Sequence, residues 1–188
     1  MTLTEINEKL VEMLPERRMQ HSLNVADCAV KLCDIYGYNK EKAYIAGLVH
    51  DCAKYLNNDQ VDYYVNKYNI NLDEYEMNNL ALSHSLIGSY IAEYEFKIND
   101  VEIIDAIRYH TTGKENMSLL EKIIYMADLI EESRNFPNVD LLRNLSYSGK
   151  LDEALLISFD NTIKFVIENK QLIHPRTVSA RNYIMRNL

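Results

Sequence analysis

The succession of separately capped helical segments constrains the fold of this chain more than any other feature of its sequence. Thr2-x-x-Glu5 and Ser118-x-x-Glu121 are capping boxes, and each precedes a run with apolar residues at helical spacing. No run alternates apolar and polar residues between turn pairs such as Asn-Gly, so no strands are expected. With 5 glycines and 3 prolines in 188 residues, the connections should be short. The sequence therefore predicts a single all-α domain spanning residues 1–188.

Start and stop signals predict where most of the helices lie. The first begins after Thr2 and stops before Pro15, and the second runs from about Glu16 to Tyr36, before Gly37. The other predicted helices are one capped by Asn39 that continues through Ala53, one opening at Asn58, and others at about 83–95, 100–110, 118–132, 151–169 and from Pro175 onward.

Charge and cysteine content argue against several classes of protein. A net charge of −8 at pH 7 disfavours nucleic acid or an anionic membrane as a partner, although local basic residues can still hold a small anionic substrate. The N-terminal segment lacks an apolar signal core, and no run reaches the roughly 18 apolar residues of a membrane span. Three cysteines without C-x-x-C spacing are typical of a reduced protein. We therefore expect a cytoplasmic location.

Six polar residues on or beside apolar helical stretches are the candidates for chemistry: His21, His50, Asp51, His84, His110 and Asp128. Taken singly, each histidine is more often a half-buried residue whose ring nitrogens find backbone partners. Asp128, however, is the only charged residue in 123–130, and a buried carboxylate needs donors or a cation nearby. Imidazole and carboxylate together suit a cation such as Fe, Mn or Zn rather than Ca. Cys28 and Cys52 are predicted to pack in the core.

Five blocks of the sequence are similar to those of a known family. They are RRMQHSLNVADCAVKL, AGLVHDCAK, LSHSLIGSYIA, AIRYHTTGKENMSLLEKIIYMADLIEESR and IHPRTVSARN. Their order and the His-Asp doublet resemble the YqeK family of the HD superfamily, whose members are symmetrical bis(5'-nucleosyl)-tetraphosphatases that split diadenosine tetraphosphate into two ADP. The resemblance extends from about Arg17 to Asn182. It departs from the family at Ser85, where glycine is usual, and at Glu132, where proline is usual.

The resemblance implies an HD-type helical bundle with a metal site between its helices. The implied iron ligands are His21, His50, Asp51 and Asp128. His84 and His110 then either contact the phosphate chain or complete a second metal site, so the centre is mononuclear or dinuclear. Manganese, cobalt or zinc could replace the iron. The implied catalytic residues are Asp51, Lys54, His84 and His110.

Further residues are implied to contact the dinucleoside polyphosphate. Lys54 can reach a phosphate oxygen as a point charge, and Arg134 can bind phosphate through two N–H groups. Arg18 can assist them or form a salt bridge. The implied substrate contacts are His21, Asp51, Cys52, Ala53, Lys54, His84, His110, Thr111, Thr112, Gly113, Asp128, Arg134, Gln171, Leu172, Ile173, His174, Pro175 and Arg176.

Two other functions remain open from the sequence. The chain could be another HD-type nucleotide phosphohydrolase, or a non-catalytic nucleotide sensor that keeps the ligand shell. In the leading interpretation, ADP is the product, residues 17–135 carry the core motifs, and residues 138–188 supply C-terminal helices and a nucleotide-binding tail. Nucleic acid and membranes are not expected partners, and a homodimer is left open.

Overall fold

The computed structural model describes residues 1–77 and 79–188, which form ten α-helices and no strand. The helices are α1 (Leu3–Met13), α2 (Glu16–Tyr36), α3 (Lys40–Val49), α4 (Asn58–Tyr68), α5 (Leu80–Tyr94), α6 (Val101–Tyr109), α7 (Leu119–Ile130), α8 (Val139–Tyr147), α9 (Leu151–Glu168) and α10 (Pro175–Asn187). The predicted all-α fold is confirmed. None of the helices in the described part of the chain combines the length and apolar character needed to cross a bilayer.

Capping signals located most helix ends correctly. Thr2 and Ser118 form the two predicted capping boxes, and Gly37 ends α2 in the left-handed conformation, with a φ of 70°. The prediction was wrong for α8, which was not foreseen. Its N-cap, Asn138, has a φ of 72° and makes no side-chain capping bond, so the usual start signal is missing.

The end of α3 also differs from the prediction, because the helix stops at Val49 instead of continuing through Ala53. The chain then tightens into turns with hydrogen bonds over three residues, from Cys52 N–H to the Val49 carbonyl (3.0 Å) and from Lys54 N–H to the Asp51 carbonyl (2.9 Å). The His50-Asp51 doublet therefore lies at a helix end rather than inside a helix.

The centre of the molecule is built on α7, which packs against α2, α3 and α6 and is buried over most of its length. Helices α2 and α3 approach each other closely at Gly47. A Cβ at this position would lie 2.8 Å from the Cα of Ala26, so only glycine fits without moving a backbone. This close approach holds the end of α3 beside α2.

Glu95, just after α5, connects three helices through its carboxylate. It accepts hydrogen bonds from Lys67 (2.7 Å) and Tyr68 on α4 and from Lys9 (3.2 Å) on α1. The hydrogen bonds from Lys67 and Tyr68 lower its pKa to about 2. Because the folded-state pKa is depressed, the stabilisation is complete above the unfolded value of about 4.3 and is lost as the pH falls toward about 2.

We therefore expect Glu95→Gln to reduce the free energy of unfolding by about 1–2 kcal/mol at pH 7. The reduction should be smaller at pH 3, because the wild type itself has then lost part of the stabilisation by the ionised Glu95 carboxylate. Urea denaturation at both pH values measures this difference. Glu93→Gln is the matched control, because Glu93 lies on α5 but forms no ion pair with any residue of 1–77 or 79–188. Equal losses in the two variants would contradict the assignment.

Candidate metal centre

Three parts of the fold bring together the two histidines and two aspartates of the first group. His50 and Asp51 follow the last residue of α3, His21 lies on α2, and Asp128 lies on α7. The Nε2 atom of His21 is 2.9 Å from Oδ1 of Asp128, and Nε2 of His50 is 3.8 Å from the same oxygen. The Nε2 atom of His50 is also 3.4 Å from Oδ2 of Asp51. Residues more than 100 positions apart in the chain thus share one buried cluster.

The position of the doublet at the helix end explains how both of its side chains reach the cluster. Adjacent residues within a helix point about 100° apart. Because α3 ends at Val49, His50 and Asp51 lie in the following turn and both side chains reach the cluster, His50 toward Asp128 of α7 and Asp51 toward His21 of α2 and His84 of α5.

His84 from α5 and His110 from the end of α6 form a second group on the other side of Asp51. Their Nε2 atoms are 3.1 Å and 3.6 Å from Oδ1 of Asp51, and 3.1 Å from each other. The other oxygen, Oδ2, faces His21 and His50 at 3.9 Å and 3.4 Å. Asp51 is therefore common to two possible ligand groups, His21–His50–Asp51 and Asp51–His84–His110.

The histidines are oriented by hydrogen bonds at their other ring nitrogen. In His50, His84 and His110, Nδ1 lies 2.6–2.9 Å from the backbone carbonyl oxygen three or four residues earlier. A carbonyl oxygen only accepts, so Nδ1 carries the hydrogen in each ring. In a neutral ring, Nε2 then presents a lone pair to the cluster, which is the arrangement found for metal-bound histidines.

Three buried atoms of the cluster make no well-aligned hydrogen bond within the part of the chain that the structure describes, although oppositely charged or polar atoms lie close to them: Nε2 of His21, Nε2 of His50 and Oδ1 of Asp51. Buried polar atoms are rarely left unpaired in folded proteins. In addition, the Nε2 atoms of His84 and His110 face each other at 3.1 Å while both Nδ1 atoms donate elsewhere. A cation bound near both Nε2 atoms would relieve the repulsion between their lone pairs.

The electrostatics of the cluster also favour a cation. Burial opposes ionisation of Asp51 and Asp128, but the surrounding histidines, with the charge on His50, hold the pKa of both carboxyls well below the ordinary value. For His50, burial lowers the pKa, but the two carboxylates outweigh it and raise the pKa to about 10. Burial, with the nearby His110 and Lys54, lowers the pKa of His84 to about 4, so this ring is neutral at pH 7. The cluster therefore contains ionised carboxylates and at least one neutral imidazole, which suits a divalent metal ion.

Glu131, which sequence reasoning missed, orients His21. Its carboxylate accepts from Nδ1 of His21 (3.0 Å), Nδ2 of Asn24 (3.1 Å), and both the N–H and the hydroxyl of Ser133 (2.6 Å each), and the residue is 1% exposed. A carboxylate behind a metal-binding histidine fixes its tautomer and raises its basicity. A sequence signal was present, since Glu131 lies three residues after Asp128, close to the same face of α7.

Arg143 of α8 supports the turn that carries Glu131. Its guanidinium donates to the backbone carbonyls of Ile130 (3.0 Å), Glu131 (2.8 Å) and Arg134 (2.8 Å). These bonds satisfy carbonyl groups at the end of α7 that have no partner within the helix. The unpredicted helix α8 thus positions the residues that follow Asp128.

We expect Glu131→Gln to weaken metal binding by about 10- to 100-fold, because the amide keeps the shape of the side chain but removes the charge behind His21. Competition with a chelator of known affinity measures the change. Glu121→Gln is the matched control, since Glu121 is also 1% exposed but pairs with Lys114 (2.7 Å), away from the histidines. Unchanged affinity in Glu131→Gln would exclude this role.

Several of the predicted substrate contacts surround the cluster. The Nζ atom of Lys54 is 3.2 Å from Nε2 of His84, and Oγ1 of Thr111 is 3.3 Å from the same atom. Arg134 donates to the carbonyl oxygen of Asp128 (2.7 Å) and pairs with its carboxylate. These three side chains are therefore positioned to contact a ligand that reaches the cluster.

Other predicted contacts lie away from the cluster. The side chains of Cys52 and Ala53 are 1% and 0% exposed, because the turn after His50 directs them into the core, where the Cys52 thiol contacts the Gly88 carbonyl (3.6 Å). Both side chains therefore face the core, and the contact of Cys52 and Ala53 with substrate stays a prediction. Thr112 is buried with its hydroxyl bonded to the Gly113 carbonyl (3.0 Å).

The predicted tail contacts, residues 171–176, lie against the loop before α5. His174 is 3.1 Å from Asp73, and Arg176 pairs with Asp73 (3.3 Å) and with the buried Glu76 (3.1 Å). Leu172 is 72% exposed, and Pro175 opens α10. These ion pairs occupy the side chains of His174 and Arg176, and the contact of the tail with a nucleotide stays a prediction.

Comparison with known proteins gives a consistent set of relatives. Residues 18–133 match the family model described as the HD domain. The symmetrical bis(5'-nucleosyl)-tetraphosphatase of Staphylococcus aureus (strain NCTC 8325 / PS 47) is 37% identical over 92% of this chain and 89% of its own length. The protein of the same name from Bacillus subtilis (strain 168) is 35% identical over 93% and 92%. A crystal structure of a predicted HD superfamily hydrolase involved in NAD metabolism, from Clostridium acetobutylicum, superimposes with a TM-score of 0.95 at 45% identity, over 100% of this chain and 99% of that one.

Proposed function

We propose that this chain, which belongs to the HD domain family and within it to the symmetrical bis(5'-nucleosyl)-tetraphosphatases, hydrolyses dinucleoside tetraphosphates to two nucleoside diphosphates. With diadenosine tetraphosphate, water adds to one of the two central phosphorus atoms and both products are ADP. The observation that carries the proposal is the buried cluster of four histidines and two aspartates, in which imidazole Nε2 atoms converge on Asp51 from both sides.

The donor set supports two cations. One would be held by His21, His50, Asp51 and Asp128, and the other by Asp51, His84 and His110, with Asp51 common to both. We propose iron at these positions, on the strength of the resemblance to the YqeK family, with manganese, cobalt or zinc as substitutes. A bound divalent cation supplies Lewis acidity, lowering the pKa of water and neutralising charge on the phosphate chain.

The chain's own side chains contribute positive charge and exclusion of water. Lys54 places an ammonium group beside His84, where it can bind a phosphate oxygen. Arg134 is held by Asp128, and its side chain is still 33% exposed. The rings of His50 and His84 are fully buried, so bulk water is excluded from the ligand atoms, which strengthens electrostatic interactions there.

Product analysis tests the proposed reaction. Protein reconstituted with Fe(II), Mn(II), Co(II) or Zn(II) without oxygen is incubated with diadenosine tetraphosphate, and the nucleotides are separated. We expect ADP alone, with no turnover after chelation. Formation of AMP with ATP would contradict the symmetrical cut. Release of inorganic phosphate from mononucleotides alone would favour another HD-type phosphohydrolase, and binding without turnover would favour a sensor.

Two further hypotheses from the sequence, a homodimer and a cytoplasmic location, remain proposals. Sedimentation of the metal-loaded protein over a range of concentrations decides the first, and fractionation of cells that produce the protein decides the second.

A further inference from the structure

A cavity of about 550 Å³ opens beside His21, on the side of Asp51 that faces away from His84 and His110. The Oδ2 atom of Asp51, which faces this side, accepts a hydrogen bond from Arg18 at 2.8 Å. The wall of the cavity includes Arg17, Arg18, Tyr55, Arg134 and Phe136. Its volume falls within the range of about 300–1,000 Å³ that is typical of small-molecule sites.

The charge of this wall is opposite to that of the whole protein. Three arginines line the cavity, although the net charge of the chain is −8. Arg17 is exposed and pairs with no carboxylate of residues 1–77 or 79–188, so its charge is available to a ligand. The single acidic residue in the wall, Glu131, is already bonded to His21. The cavity therefore favours an anion with several charges.

The same wall carries aromatic surface. Tyr55 is 54% exposed, and the guanidinium carbon of Arg18 lies 5.9 Å from the centre of its ring. Phe136 contributes a second, half-buried ring. An exposed aromatic ring beside arginines is a combination that stacks on nucleobases and binds the attached phosphates.

We propose that this cavity binds one nucleoside diphosphate half of the substrate, with Arg17 and Arg18 on the phosphates and Tyr55 stacked on the base. The inference rests on the proposed function, because a symmetrical cut needs a separate subsite for each identical half. The other half lies on the opposite side of Asp51, toward Lys54 and Thr111. Arg17 and Tyr55 thereby contribute to binding the full length of the substrate, and they take no part in the chemical step.

Calorimetric titration of the metal-reconstituted protein with ADP tests the inference without turnover. The wild type should bind two ADP per chain. Tyr55→Ala and Arg17→Ala should each weaken one of these sites about tenfold, while Tyr55→Phe should bind as the wild type does. Tyr63→Ala and Arg186→Ala are matched controls, because Tyr63 is 55% exposed and Arg186 is exposed, and both lie outside this cavity. One ADP per wild-type chain, or variants that match the controls, would overturn the inference.

Kinetics with diadenosine tetraphosphate separate this inference from the proposed function. Tyr55→Ala and Arg17→Ala should raise KM about tenfold and leave kcat within about twofold, since they touch only the bound nucleotide half. If the wild type forms two ADP but the variants keep its KM, the subsite is wrong and the function stands. If the wild type forms no ADP, the proposed function itself fails.

Discussion

Replacing Asp51 with asparagine should lower kcat/KM for the symmetrical cleavage by about 10³-fold or more, well beyond the ~10- to 100-fold expected for residues that only orient a ligand. Asp51 is the one residue common to both ligand groups, with Oδ1 facing His84 and Oδ2 facing His50. The amide has nearly the same shape, but it removes the charge and points two N–H donors at groups arranged for a cation. Metal content, measured by mass spectrometry of the purified variant, should fall together with activity.

Asp27→Asn is the control for this substitution. Asp27 lies on α2 and is exposed, outside the ligand groups, so the variant loses the same charge without touching the cluster. Its activity and metal content should equal those of the wild type. An Asp51→Asn protein that keeps its metal and its rate would show that Asp51 is a structural residue.

Replacing Gly47 with alanine should destabilise the fold by about 2 kcal/mol and weaken metal binding as well. The new Cβ would lie 2.8 Å from the Cα of Ala26, and a backbone atom cannot move aside as the end of a side chain can. This cost exceeds the ~1 kcal/mol that alanine gains over glycine inside a helix. Because the Gly47 carbonyl also accepts from Nδ1 of His50, separating α2 from α3 moves His50 away from His21.

Gly88→Ala provides the matched comparison for Gly47→Ala. Gly88 is also buried in a helix, but its added Cβ would meet the Cys52 sulfur at 3.5 Å and other atoms farther away, which is ordinary contact. Thermal or urea unfolding should show Gly88→Ala to be neutral or slightly more stable than the wild type. Equal destabilisation of the two variants would contradict the close approach of α2 and α3.

The fold was largely predictable because its signals are local. Capping boxes at Thr2 and Ser118 and the left-handed Gly37 depend only on nearby residues. The errors occurred where a local signal was absent or was overridden by packing. Asn138 starts α8 without a capping bond, and α3 ends in a turn at His50, where the His50 ring and the Asp51 carboxylate join the cluster.

The candidate site was only partly predictable, because residue type shows which side chains can bind a metal but not what surrounds them. The resemblance named His21, His50, Asp51 and Asp128, and the structure brings them within a few ångströms of one another. The sequence places Glu131 close to Asp128, but the hydrogen bond that Glu131 accepts from His21, 110 residues away, depends on tertiary structure.

The cavity and the tail depend in the same way on tertiary contacts. Arg17, at the start of α2, and Tyr55, after α3, line the same cavity because α2 packs against α3. Conversely, the polar groups of His174 and Arg176 are paired with Asp73 and Glu76, which the sequence pattern alone did not indicate.

The central claim is that two cations, held by ligand groups that share Asp51, support the symmetrical cleavage. The most direct test titrates metal-free protein with Mn(II) or Fe(II), without oxygen, and measures the rate of ADP release from diadenosine tetraphosphate at each equivalent of metal. Two ligand groups that share Asp51 predict a rate that keeps rising through the second equivalent, with ADP as the sole nucleotide product. A maximal rate at one equivalent, or no ADP at any metal content, would contradict it.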